Sequence, residues 1–239
     1  MNETIFQNGE EMGAVIASEI CDLIKTQKAP LICLAAGHSS LSVFAALAER
    51  KKQGFDFSDY FFVAMDEWTG MNADDEESCG GFLKKNFFTP LDFPAEHIKL
   101  FDGRAADLKA ECEAVEQFID TRGGVCFMLL GIGMNGHLAL NEPGCDINGG
   151  AHLTELSEIT KKTGQKYFSH TQTLLGGLTL GLKNIRAAGN IVVNVTGAHK
   201  APVVKRLRES SAGADFPASL LKDLPQARFY FDAEAAGGD

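Results

Sequence analysis

The 239 residues are 45% hydrophobic and 23% charged, a balance that excludes disorder and supplies enough apolar side chains for a sizeable core. Lys and Arg number 22 against 32 Asp and Glu, a formal net charge of -10, and no Lys/Arg run forms the basic stripe a nucleic-acid binder needs, so nucleic acid is excluded as a partner. The longest apolar stretch, Val125 to Gly133, is far short of the roughly 20 residues of a membrane-spanning helix. Met1-Asn2-Glu3-Thr4 lacks the basic flank and apolar core of a secretory leader, and the expectation is a cytoplasmic protein with no membrane partner. The six cysteines (Cys21, Cys33, Cys79, Cys112, Cys126, Cys145) form no Cys-x-x-Cys pair and read as reduced, mostly buried thiols. With the six histidines equally scattered, no metal site is expected.

In chain order, residues 8–26 repeat apolar positions with a helical period, and Pro30 to Leu34 is a buried-type strand followed by a loop of small residues and a helix from Leu41 to Lys52. Tyr60 to Met65 is a second strand. The acidic loop Asn72 to Glu77 separates it from a short helix near Phe82 to Phe88. Further strands are predicted at Ile98–Phe101, Val125–Leu130, Ile191–Thr196 and Arg228–Asp232, with helices near Ala105–Asp120 and Ala201–Glu209. Residues 145–190 give no clear pattern. Continuous apolar strands alternating with helices predict an α/β fold, a single doubly wound, mostly parallel sheet with helices on both faces (Rossmann-like), with 1–239 as one domain. Ligands of such sheets bind beyond the carboxyl ends of the strands, which directs attention to three loops.

The first is Ala35-Ala36-Gly37-His38-Ser39-Ser40. Gly37 permits close approach or a positive φ, and Ser39 or Ser40 can cap the next helix and offer donors to a phosphate, although an ordinary capped turn would use the same residues. The second is Met65-Asp66-Glu67-Trp68. A carboxylate at the end of a buried strand loses solvation, which raises its pKa and makes Asp66 a candidate base; the alternative has Asp66 capping a turn and Glu67 solvated. Asp74-Asp75-Glu76-Glu77 reads as a solvated loop. The third runs from Gly131 to Gly144. Gly131, Gly133 and Gly136 satisfy the G-x-G-x-x-G pattern of dinucleotide binding, but Pro143 and Gly144 follow within two turns and cannot continue the helix that such a fingerprint must open. The loop instead gathers Asn135, His137 and Glu142, and a histidine beside a carboxylate moves protons near neutral pH.

Taken together, MDEW (65–68), LLGIGMNGHLALNEPG (129–144) and GAHKA (197–201) resemble the glucosamine-6-phosphate deaminase family, including its relatives called galactosamine-6-phosphate isomerases. The resemblance spans most of the chain, from the loop at 35–40 to the helix after Lys200, and NGHLALNEP is its most specific part. It implies an aldose-to-ketose isomerisation coupled to loss of ammonia, without metal or organic cofactor. It implies that Asp66 is the enolisation base, that His137 opens the sugar ring, and that Asn135 and Glu142 orient and tune the imidazole. It also implies phosphate binding by Lys200, with Lys166 where many relatives have arginine, and by Gly37, His38 and Ser39, where Thr-Gly-Gly-Thr is more usual. His38 in that loop and Trp68, where tyrosine is common, favour galactosamine 6-phosphate over glucosamine 6-phosphate. His152-Leu153-Thr154 lacks the Arg-x-Lys cluster of allosterically regulated members, so activation by an acetylated amino-sugar phosphate is not expected.

Three other readings compete. An NAD-linked dehydrogenase would use 131–136, against the helix-breaking argument above. A sugar-phosphate lactone hydrolase resembles the chain as far as Gly136-His137 but has no need of a base at Asp66. A non-catalytic sugar-phosphate sensor would usually carry a DNA-binding segment, and no helix-turn-helix precedes residue 30. The expected partner is a small sugar phosphate, with a homo-oligomer permitted.

Overall fold

The computed structural model describes residues 1–238, with the side chain of Ile24 outside the description. Its main sheet has seven strands, all parallel: β1 (Asn2–Phe6), β2 (Leu31–Leu34), β3 (Phe61–Ala64), β5 (Ile98–Lys99), β6 (Phe127–Leu130), β9 (Ile191–Val195) and β10 (Ala227–Asp232). The remaining strands β4 (Asp66–Trp68), β7 (His152–Thr154) and β8 (Gly177–Thr179) form a small antiparallel sheet in the order β4-β8-β7. The main sheet runs β1-β10-β9-β6-β2-β3-β5. From β2 the chain moves outward through β3 to β5, then returns to β6 on the other side of β2 and moves outward the other way. The reversal lies between β2 and β6, and a sheet of this kind opens its ligand crevice there.

Strands β2, β3 and β6 are apolar at every position because both faces are covered. Leu31 and Cys33 of β2, Val63 of β3, Met128 and Leu130 of β6 point into one core, which is closed by α5 (Leu108–Asp120), α7 (Leu182–Ala187) and α8 (Ala201–Glu209). Ile32 and Leu34, Phe62 and Ala64, Phe127 and Leu129 point into the other, closed by α1 (Gly9–Asp22), α2 (Leu41–Lys52) and the helical stretch α3 (Cys79–Leu83) and α4 (Thr89–Leu91), joined by a π-helical turn at Lys84–Phe88. This pair of cores is the doubly wound architecture the alternation predicts. α6 (Glu158–Gly164) lies outside both, near a third cluster of Trp68, Cys79, Leu140, Leu156 and Leu174. Five of the six cysteines are buried, Cys145 is partly exposed, and all six are free thiols.

Two features depart from the expectation of one sheet. The edge strand β1 shows burial only at Phe6, so its residues carry no alternating apolar signal. The small sheet arises because the chain turns sharply after β3: Met65 still donates to the Leu34 carbonyl, whereas Asp66 already pairs with Thr179 of β8. Asp66 is therefore the first residue of β4, not the last of the preceding strand. No helix among the described residues is long and apolar enough to cross a membrane.

Candidate active site

Four adjacent strands, β9, β6, β2 and β3, deliver four loops to the carboxyl edge of the sheet. These are Gly197 to Lys200, Gly131 to Glu142, Ala35 to Ser40, and the chain at Asp66. Cross-links join them. Lys200 Nζ donates to the Ile132 carbonyl at 2.5 Å, Asn194 Nδ2 of β9 donates to the Ser39 carbonyl at 2.7 Å, and the Leu140 amide donates to the hydroxyl of Thr179, the register partner of Asp66, at 3.2 Å.

The loop after β6 contains no helix. It closes on itself through an antiparallel bridge between Leu138 and Asn141, with Ala139 in the left-handed region at φ 54°. Its glycines answer to sterics rather than to a dinucleotide. A Cβ at Gly133 would stand 2.2–2.4 Å from three atoms of the His137 imidazole, and one at Gly136, where φ is 92°, would stand 2.2 Å from the Phe216 ring. Gly133 is thus the floor on which His137 lies. The imidazole is largely buried at 15% side-chain exposure, with Nδ1 3.8 Å from Glu142 Oε2 and 3.2 Å from the Thr160 hydroxyl.

A polar network fixes this arrangement. Asn135 Nδ2 donates to Glu142 Oε2 at 2.6 Å and to Ser157 Oγ at 3.2 Å, while Asn135 Oδ1 accepts from the His137 amide at 3.2 Å. The Ser157 amide donates to Glu142 Oε1 at 3.1 Å. Burial pushes the His137 pKa down to about 4, aided by Lys200 and opposed by Glu142, so the imidazole is neutral near pH 7. Burial pushes the Glu142 carboxyl up, but Thr160, His137, Asn135 and Ser157 outweigh it and hold the group below its ordinary value, ionised.

The second carboxylate behaves oppositely. Burial, together with neighbouring Glu67, raises Asp66 to about 7, against a smaller lowering contribution from the Cys79 thiol. Glu67 is not solvated. It is fully buried, and its carboxylate accepts from the amides of Trp68 at 2.8 Å, Cys79 at 3.0 Å and Gly80 at 2.8 Å, fastening the start of α3 to β4. The acidic run that follows is partly ion-paired, with Asp75 on Arg104 at 2.6 Å and Asp74 and Glu76 exposed beside Lys84 and Lys85.

At the other end of the crevice, burial and the neighbouring Lys166 lower Lys200 to about 8. Lys166 itself is lowered by burial and lies 4.9 Å from the Tyr167 ring centroid. Lys200 therefore senses Lys166, and His199 beside them is lowered by burial and by both lysines, against Asp232. Gly37 is buried and extended, with φ 161°, so of the two uses open to it the left-handed backbone is not taken. Ser39 and Ser40 do not cap α2 through their side chains; Ser40 Oγ instead donates to the Ala35 carbonyl at 3.1 Å. His38 is exposed and stacks on Tyr167, ring centroids 5.5 Å apart. A cavity of about 470 Å³ opens beside His38 and Ser39, with Gly9, Ser42 and Thr196 on its far side.

The sequence reading did not single out Cys79, Ser157, Thr160, Tyr167 or the pinning role of Glu67. Only Ser157 had a signal, as a cap residue three places before Thr160, whose amide it accepts at 3.2 Å.

A model of the family described as glucosamine-6-phosphate isomerases/6-phosphogluconolactonase matches residues 7–229. A glucosamine-6-phosphate deaminase of Bacillus velezensis is 34% identical over 241 residues, with 100% of both chains covered. Glucosamine-6-phosphate deaminase 1 of Bacillus subtilis is 32% identical, with 96% of each covered. Among solved structures, a monomeric glucosamine-6-phosphate deaminase matches with a TM-score of 0.94 at 30% identity over 99% of both chains. A 6-phosphogluconolactonase from Thermotoga maritima shares the fold, with a TM-score of 0.76 at 17% identity over 96% of this chain and 97% of its own.

Proposed function

The chain belongs to the glucosamine-6-phosphate isomerase/6-phosphogluconolactonase family, and on that premise we propose that it is a deaminating aldose–ketose isomerase acting on a hexosamine 6-phosphate. The observation that carries this reading is the pairing of a carboxyl raised to about 7 at Asp66 with a neutral, carboxylate-oriented imidazole at His137. The first suits a base that takes a proton from carbon and returns it. The second suits transfer between two sugar oxygens.

In this mechanism neutral His137 accepts the anomeric hydroxyl proton and passes it to the ring oxygen, opening the ring. Glu142 and Asn135 hold the imidazole and stabilise its transient cation. Asp66 removes the proton on carbon 2 while a proton of the substrate's own ammonium group passes to the carbonyl oxygen on carbon 1, leaving an enolamine, and Asp66 then returns its proton to carbon 1. The resulting ketose imine is hydrolysed by water, and ammonia and the ketose phosphate leave. Lys200, Lys166 and the Gly37-His38-Ser39 loop take the phosphate, whose dianion is matched by two cations and by backbone amides. No step requires a metal or an organic cofactor.

A lactone hydrolase would need no carbon base, and the likeness to the lactonase structures is one of fold. For the epimer, Trp68 is 6% exposed and packs into the third cluster, which weakens its share of the case for galactosamine 6-phosphate and leaves the weight on His38. The curated relatives are glucosamine-6-phosphate deaminases, and glucosamine 6-phosphate is the substrate we assign. Ammonia release from equal mixtures of the two sugar phosphates, with the ketose products resolved, tests it. Fructose 6-phosphate should predominate, and a preference for tagatose 6-phosphate would reverse the assignment.

A further inference from the structure

A neutral imidazole accepts a proton only through its bare nitrogen, so it must keep its own proton on the other one. In His137 the protein engages Nδ1, through Glu142 and Thr160, and Nε2 is the nitrogen left for a sugar hydroxyl. The tautomer that fits the proposed reaction therefore carries its proton on Nδ1, and that proton needs an acceptor. Glu142 is out of reach. Its Oε2 stands 3.8 Å from Nδ1, beyond hydrogen-bond distance. Among the described residues the hydrogen-bond partner of Nδ1 is the Thr160 hydroxyl, at 3.2 Å.

Local rules place that hydroxyl. Ser157 caps α6, and its Oγ accepts from the amide of Thr160, the third residue of the helix, at 3.2 Å, which brings the cap and the Thr160 side chain together. The same Oγ accepts from Asn135 Nδ2 at 3.2 Å. With two N–H donors on it, the Ser157 oxygen turns its single proton to Thr160 Oγ1, 3.1 Å away, and one lone pair of the Thr160 oxygen remains for Nδ1–H. Glu142 is held separately, accepting from the Ser157 amide at 3.1 Å and from Asn135 Nδ2 at 2.6 Å. Thr160 is 3% exposed, so bulk water does not compete for its hydroxyl.

We propose that Thr160 is a positioning residue for His137: its hydroxyl, oriented by Ser157, accepts the Nδ1 proton and holds the imidazole in the tautomer whose bare Nε2 meets the sugar. Glu142 and Thr160 then have different tasks. The carboxylate acts through its charge across 3.8 Å, favouring the imidazolium once it forms, whereas the hydroxyl acts through direction and sets which nitrogen is bare beforehand. The inference rests on His137 being the ring-opening group of the proposed reaction.

Two measurements test it, the first on the substrate-free protein. At pH 7, where the imidazole is neutral, nitrogen-15 NMR separates a protonated ring nitrogen from a bare one, and the signals lost in His137→Gln belong to His137. Wild type and Thr160→Ser should both show Nδ1 protonated and Nε2 bare. Thr160→Val keeps the shape and loses the hydroxyl, and should shift the tautomer ratio toward Nε2–H by roughly five-fold, the weight of one hydrogen bond. In the reaction, Thr160→Val should lower kcat by roughly five- to ten-fold with KM nearly unchanged, and Thr160→Ser should restore most of the loss. A bare Nδ1 in the wild type, a tautomer ratio unmoved in Thr160→Val, or a Thr160→Val kcat equal to that of the wild type would overturn the proposal. Absence of ammonia release by the wild type would instead overturn the functional reading, with the NMR result still deciding what Thr160 does to the ring.

Discussion

Asp66 shows what a buried carboxyl costs the protein that carries it. Its carboxyl binds a proton up to about 7 in the folded state, against a value of 3.8 for an unperturbed group. Between those values the folded chain holds a proton that the unfolded chain has released, so stability falls as pH rises through that window and the full cost is felt above it. Asp66→Asn removes the ionisable group at nearly constant volume. It should raise the unfolding free energy at pH 8 by on the order of 2 kcal/mol, below the ceiling set by the full shift because Asp66 is not wholly enclosed, and the gain should vanish toward pH 4. Thermal unfolding at the two pH values measures it. At this scale the sequence was informative where chemistry is local. Asn135, His137 and Glu142 lie within eight residues of one another and do meet in space. Thr160 reaches His137 from α6, and no spacing along the chain announces such a contact.

The loop after β6 is governed by two glycines whose absence of a side chain has separate uses. At Gly133 the backbone is ordinary and the space is filled by His137; at Gly136 the backbone is left-handed and the space is filled by Phe216. Gly133→Ala should therefore displace the imidazole, cutting turnover by roughly ten-fold or more because catalytic geometry tolerates little displacement, with a small change in stability. Gly136→Ala combines backbone strain with overpacking and should cost about 2–4 kcal/mol. Urea titration and steady-state kinetics on the two variants separate the effects, and equal stability losses in both would contradict the division. The glycine pattern alone could not reveal it, since G-x-G-x-x-G fits both a dinucleotide turn and this loop; Pro143 and Gly144 decided against the former. The stretch 145–190 was illegible for another reason. Its strands β7 and β8 have three residues each, too few for a period-2 pattern, and β8 pairs with β4 and β7 with β8 rather than with the main sheet.

Across the whole molecule, the doubly wound order brings together groups that are far apart in sequence. Asp66 follows β3, His137 follows β6 and Lys200 follows β9, and β2 and β6 meet where the winding reverses. That architecture was readable from apolar strands alternating with amphipathic helices, because burial on both faces imposes continuous hydrophobic runs. The small second sheet was not, since it is made of short segments that depend on the first sheet for support. The placement has a kinetic consequence for the proposed reaction, because the proposed base, Asp66, and the proposed phosphate-binding cation, Lys200, follow different strands. Asp66 must be ionised, which sets an acid limb near 7, and Lys200 must be protonated, which sets an alkaline limb near 8. The most direct measurement is kcat/KM for ammonia release from glucosamine 6-phosphate across pH, for the wild type and Asp66→Asn. The account predicts a narrow bell between those limbs and a loss of at least about 100-fold in the variant, the range expected on removing a general base. Ammonia release that survives in Asp66→Asn, or a wild-type profile with no acid limb near 7, would contradict it.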